Sequence, residues 1–123
     1  VWWGVYCGHK SGREMGRETV GTSLTMEMRR GTIVLVVLCC LEKPKYGYSL
    51  VEDLEKKGIP VEANTLYPLL RRLSSQELLE NTWDTSTAKP RKYYVITEAG
   101  KEVREDLKRQ WNSMSDAMQN IIG

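Results

Sequence analysis

The sequence predicts a mainly α (α+β) fold of four helices, with a two-stranded hairpin between the third and the fourth. Three observations lead there. Leu66, Leu69, Leu70 and Leu73 recur at helical spacing, a polar turn at 84–89 separates two short β-prone runs, and Val103, Leu107, Trp111, Met114, Met118 and Ile121 recur in steps of four and three.

A chain of 123 residues holds one domain with a core of its own. Hydrophobic residues at 41% and charged residues at 28% exclude collagen-like, globally disordered and membrane classes. A net charge of +2 leaves the partner open, so only the placement of the cations can be informative. The longest apolar run, residues 33–41, is far short of the roughly 20 residues that span a bilayer, so no membrane partner is expected. The three cysteines follow no disulfide or metal-ligand spacing, which predicts a reducing, cytoplasmic setting and packing roles for Cys39 and Cys40.

Residues 1–25 carry Trp2, Trp3 and scattered glycines without periodicity, and they lack the order of regions a secretory signal needs. This atypical leader is expected to be disordered or not native, with translation starting naturally at Met26 or Met28; a natural disordered tail is the alternative.

The patterned chain begins with an element from 28 to about 42, apolar on nearly all sides and too long for a typical buried strand, hence a central helix. Pro44 ends it. A second helix follows over 46–57, with Leu50, Val51 and Leu54 on one stripe and Gly58 as its left-handed stop. The third helix, from about 62 to 76, turns its leucines one way and Asn64, Pro68, Arg71 and Ser75 the other, flanked by Thr65, Tyr67 and Arg72. Strands are expected at 78–83 and 90–97, with Lys89, Arg91 and Lys92 at the tip and on the second strand. Thr97 then caps a helix running to about 120, some 35 Å long at about 1.5 Å per residue. Its far half overhangs so small a core and needs a partner helix.

Helix, helix, helix, hairpin, helix is the order of a winged helix-turn-helix with a long C-terminal dimerisation helix. In that arrangement Asn64, Thr65, Tyr67 and Arg71 can reach base edges, because Asn suits adenine and Arg suits guanine through paired hydrogen bonds. Arg72 and the wing cations Lys89, Arg91 and Lys92 suit phosphates. Leu107, Trp111, Met114, Met118 and Ile121 form the expected dimer seam, and a two-fold dimer implies a near-palindromic operator in double-stranded DNA. Domain limits follow as 1–25 for the leader, 26–97 for DNA binding and 98–123 for dimerisation.

From Gly31 onward the chain resembles the PadR-like transcriptional regulators, in the short subgroup with one C-terminal helix. The resemblance rests on Arg30-Gly31-Thr32, Tyr46-Gly47-Tyr48, the run Thr65-Leu66-Tyr67-Pro68-Leu69-Leu70-Arg71-Arg72-Leu73, and Arg91-Lys92-Tyr93-Tyr94-Val95-Ile96-Thr97-Glu98-Ala99-Gly100. It implies a homodimer that usually represses transcription, with Tyr46 and Tyr48 near the DNA backbone. In drug-sensing members a Trp at the place of Trp111 faces its symmetry mate and stacks planar aromatic ligands, which implies a small aromatic effector here. One departure is local: the family normally has Gly after the third helix, where this chain has Glu77, so Glu77 must take the left-handed conformation or the exit must differ.

Catalysis is not expected. The single histidine, His9, lies in the leader, and no phosphate loop or nucleophile motif follows a strand, so no catalytic residue, cofactor or metal ligand is assigned. The alternative function is a winged-helix module that binds protein rather than DNA.

Overall fold

The computed structural model describes residues 24, 25 and 27–123. Most of the leader, with Trp2, Trp3, Cys7 and His9, lies outside the described residues, as does Met26. The chain divides into two units between Ile33 and Val34. In the first, residues 27–30 are helical and residues 31 and 32 form a turn. There the Thr32 N–H and hydroxyl both donate to the Arg29 carbonyl, at 2.9 and 2.8 Å. A side chain that occupies the carbonyl in this way competes with helix continuation. The uninterrupted helix expected over 28–42 is therefore corrected: α1 is Ile33–Cys40. Cys39 is exposed rather than packed, and Cys40 is half-buried, where burial raises its thiol pKa.

Four residues beyond α1, Lys45–Tyr46 form a short strand, β1, where the sequence alone predicts a plain turn. The helix α2 spans Gly47–Lys56 and α3 spans Ala63–Ser75. The hairpin is β2, Leu79–Asp84, and β3, Arg91–Ile96; α4 is Glu98–Ile122. The sheet order is β1-β3-β2, antiparallel throughout, with Tyr46 opposite Tyr93, Leu79 opposite Ile96 and Trp83 opposite Lys92. This is a winged helix-turn-helix with a long final helix, as expected.

The core explains the order. Leu50 and Leu54 of α2, Leu66, Leu70 and Leu73 of α3, and Val37, Leu38 and Leu41 are all buried, joined from the sheet by Leu79, Tyr94 and Ile96. Each buried leucine contributes about 1.5–3 kcal/mol of transfer free energy, which is ample to fix helices whose other faces are polar.

The two inner helices end alike. After α2, Gly58 N–H bonds the Glu55 carbonyl at 3.2 Å and Ile59 N–H bonds Leu54 at 2.9 Å; after α3, Glu77 N–H bonds Ser74 at 3.0 Å and Leu78 N–H bonds Leu73 at 2.9 Å. Both are Schellman ends, which require a left-handed residue just past the helix. Gly58 supplies it at φ 86°, and Glu77 supplies it at φ 63° despite its side chain. The exit of α3 is thus the usual one, made with an unusual residue. Thr97 then caps α4 by accepting from Gly100 N–H at 2.9 Å, while its hydroxyl donates to the Glu77 carbonyl at 2.8 Å. Arg104 of α4 pairs with Glu42 at 2.8 Å, which lowers the Glu42 pKa.

Candidate nucleic-acid interface

The helix α3 splits as its periodicity requires. Its leucines at 66, 70 and 73 are buried and Leu69 is half-buried, whereas Asn64, Thr65, Pro68, Arg71, Arg72 and Ser75 are exposed. Among the described residues no hydrogen bond or ion pair engages the side chains of Asn64, Thr65, Arg71 or Arg72. Tyr67 is half-buried, because its ring lies against Gly47 at the start of α2 so closely that a Cβ there would collide with it. That contact accounts for the glycine of Tyr46-Gly47-Tyr48, which lets α2 and α3 close around the Tyr67 ring.

On the wing, Lys89, Arg91 and Lys92 are near neighbours in sequence, but the two-residue period of β3 sends the last two to opposite faces. Arg91 shares its face with Tyr93 and, across the pairing with β1, with Tyr46. Tyr46 and Tyr48 stack at 5.6 Å with planes 7° apart, and Tyr93 meets Tyr46 edge-on at 5.9 Å. The Arg91 guanidinium lies 5.6 Å from both stacked rings and donates to the Tyr48 hydroxyl at 3.1 Å. The Tyr46 hydroxyl donates to Asp84 at 2.5 Å, and Asp84 also accepts from the Ser86 hydroxyl and N–H at 2.6 and 3.0 Å. These bonds, the Ser86 hydroxyl first, hold the Asp84 carboxylate down to about 2 and raise the Tyr46 pKa.

The other face of the wing continues the buried row of Ile96 and Tyr94 outward to Lys92, beside Leu79 and Trp83 of β2. This is the buried face of the sheet, α3 lies in contact with β2, and Tyr94 on this face is near Tyr67 and Arg71 of α3. Burial raises the Tyr94 pKa, with Tyr67 and Arg71 near enough to act on it. The Lys92 ammonium lies 5.5 Å from the Trp83 ring and 5.9 Å from the Tyr94 ring, and Trp83 is 58% exposed. Sequence reasoning misses Trp83 and Asp84 as site residues. Counting outward from the turn, one cross-strand pair at a time, sets Asp84 opposite Arg91 and Trp83 opposite Lys92, a signal that a scan for charge along the chain overlooks.

The final helix has the reverse character. Val103 and Leu107 are half-buried, but Trp111 and Met118 are 46% exposed, Met114 60% and Ile121 79%. The seam is apolar and open to solvent. Among the described residues no group of His, Cys, Asp or Glu is placed to hold a metal ion, and no helix is long and apolar enough to cross a membrane.

The sequence model of the transcriptional regulator PadR-like family matches residues 34–106, from α1 into α4. The chain belongs to the PadR-like family. Solved structures agree. A PadR family transcriptional regulator from Eggerthella lenta is 47% identical at a TM-score of 0.81, over 85% of this chain and 94% of that one. A PadR-like transcriptional regulator from Bacillus cereus is 33% identical at 0.70, over 78% and 96%. A PadR family regulator from Clostridium difficile is 27% identical at 0.68, over 75% and 99%. Among curated proteins, none matches significantly. The PadR match takes in α3, the wing and the cap of α4, and the exposed seam beyond residue 106 lies past its end.

Proposed function

We propose that this PadR-like regulator binds double-stranded DNA as a homodimer and represses transcription from a near-palindromic operator. Residues 26–97 form the DNA-binding part and 98–123 the dimerisation helix. The observation that carries this is the division of α3: three leucines buried beneath a polar face on which Asn64, Thr65, Arg71 and Arg72 are all exposed. In a major groove, Asn64, Thr65, Tyr67 and Arg71 meet base edges, where a good bidentate pair discriminates by about 1–3 kcal/mol. Arg72, Lys89, Arg91 and Lys92, with Tyr48 at the start of α2, meet phosphates and supply salt-dependent affinity, whereas the Tyr46 hydroxyl is taken by Asp84 and its ring stacks on Tyr48.

Leu107, Trp111, Met114, Met118 and Ile121 pair with the same residues of a second copy. A two-fold axis through that seam sets two α3 helices one DNA turn apart, roughly 34–36 Å. Trp111 facing its symmetry mate offers a flat apolar surface on which a small aromatic effector can stack and release the operator.

A gel shift against DNA from upstream of the chain's own coding sequence, at two salt concentrations, tests the proposal. Sequence-selective binding weakened by salt is expected, and Arg71→Ala should cost roughly 1–3 kcal/mol and relax one base preference. No binding at low salt would favour a winged-helix module for protein partners.

A further inference from the structure

We infer that Trp83 is a positioning residue for DNA contact: with Tyr94 it seats the Lys92 ammonium on the α3 side of the wing, aimed at a phosphate beside the groove α3 enters. The inference rests on the DNA-binding function proposed above and adds to it a residue outside the cationic and α3 sets.

The geometry comes from the pairing of β2 with β3. Trp83 stands directly opposite Lys92, and Tyr94 follows Lys92 on the same face. The ammonium lies 5.5 Å from one ring and 5.9 Å from the other, within the range in which a cation is held by ring faces. Lysine is a point charge on a flexible four-carbon stem, and fixing that stem on contact with a phosphate costs rotamer entropy. A lysine already seated between two rings has lost part of that freedom before binding. Tyr94 is 4% exposed and belongs to the core, whereas Trp83 is 58% exposed. An indole left that far in water contributes little to the core, so the role that remains for it is at the surface it shares with Lys92. Arg91 is seated in the same manner on the opposite face, by Tyr46 and Tyr48. The wing thus carries one aromatic-held cation on each side.

Phosphate contact is independent of sequence, so the probe is a fluorescein-labelled random-sequence 30-bp duplex, titrated by anisotropy over a range of low salt concentrations. Lys92→Ala should lower the slope of log affinity against log salt by about 0.9. Trp83→Leu keeps apolar bulk but has no ring face, and should weaken binding about two- to five-fold, the size of an exposed cation–π contact. Trp83→Phe should restore most of that loss. In the Lys92→Ala background, Trp83→Leu should change nothing further, and circular dichroism melting of each variant separates lost contact from lost fold. Equal affinities for Trp83→Leu and Trp83→Phe, or losses that add with Lys92→Ala, would overturn the inference while leaving DNA binding intact. Failure of the unmutated protein to bind the duplex at any salt would instead overturn the DNA-binding proposal, and the inference with it.

Discussion

The helices α3 and α4 are both amphipathic, and they leave opposite faces in water. Buried Leu66, Leu70 and Leu73 secure α3 and free a polar face with two arginines; of its apolar seam α4 keeps Val103 and Leu107 partly covered and leaves Trp111, Met114, Met118 and Ile121 exposed. An exposed polar face with unengaged guanidinium groups suits a polyanion, whereas an exposed apolar seam at heptad-like spacing suits another helix. One periodicity therefore yields two kinds of surface, according to which stripe the core takes.

The largest expected effect concerns the covered stripe. Leu70→Ala removes a fully buried side chain and should cost about 2–5 kcal/mol in denaturant unfolding, while Met118→Ala, measured on monomer at high dilution, should cost almost nothing. Equal losses would erase the contrast between the two helices.

Next in size is the bare seam itself. Trp111→Ala should weaken self-association by about 2 kcal/mol, roughly 30-fold, in sedimentation equilibrium, with the helical circular dichroism signal retained. An unchanged dissociation constant would place the interface elsewhere.

A smaller effect concerns how α3 is terminated compared with α2. Glu77 holds φ 63° where Gly58 holds 86° in the same bonding pattern. A side chain in the left-handed region costs roughly 1–2 kcal/mol, so Glu77→Gly should raise stability by about 1 kcal/mol, and Gly58→Ala should lower it by a similar amount. Thermal melts of both variants check the sign.

The smallest effect lies on the face of the wing that carries Tyr46 and Arg91. The Asp84 carboxylate is held at about 2 against an ordinary value of 3.8. A depressed folded-state value means that its stabilisation is complete above 3.8 and fades as pH falls toward 2. The stability difference between the unmutated protein and Asp84→Asn should narrow over that interval; a difference that does not change with pH would show that the Tyr46 and Ser86 bonds contribute nothing.

Much of this fold is legible in the sequence because its strongest signals are periodic. The leucines of α3 and the seam of α4 announce their faces, Gly58 and Thr97 announce their ends, and the departure at Glu77 points to a left-handed residue that the structure contains. What escapes is not periodic. The break before α1 falls where Arg29-Arg30-Gly31-Thr32 gives way to the apolar run 33–41, a local change that a reading for apolar length passes over, and the Thr32 hydroxyl bonds back to the Arg29 carbonyl there. The two residues of β1 form a strand only because β3 is beside them, and Cys39 faces water within an otherwise apolar helix.

For the interface, exposure of the α3 residues is legible and the wing's two sides are not. Lys89, Arg91 and Lys92 look like one cluster along the chain, but alternation gives Arg91 to the tyrosines and Lys92 to Trp83. Adjacency in sequence is the wrong measure on a strand.

Selection of bound duplexes from a random pool measures the central claim most directly, since it reads base contact by α3 and symmetry through α4 in one result. Recovery of two inverted half-sites centred one helical turn apart, about 10 base pairs, is the predicted outcome. Recovery of a single asymmetric motif, or no enrichment at all, would contradict it.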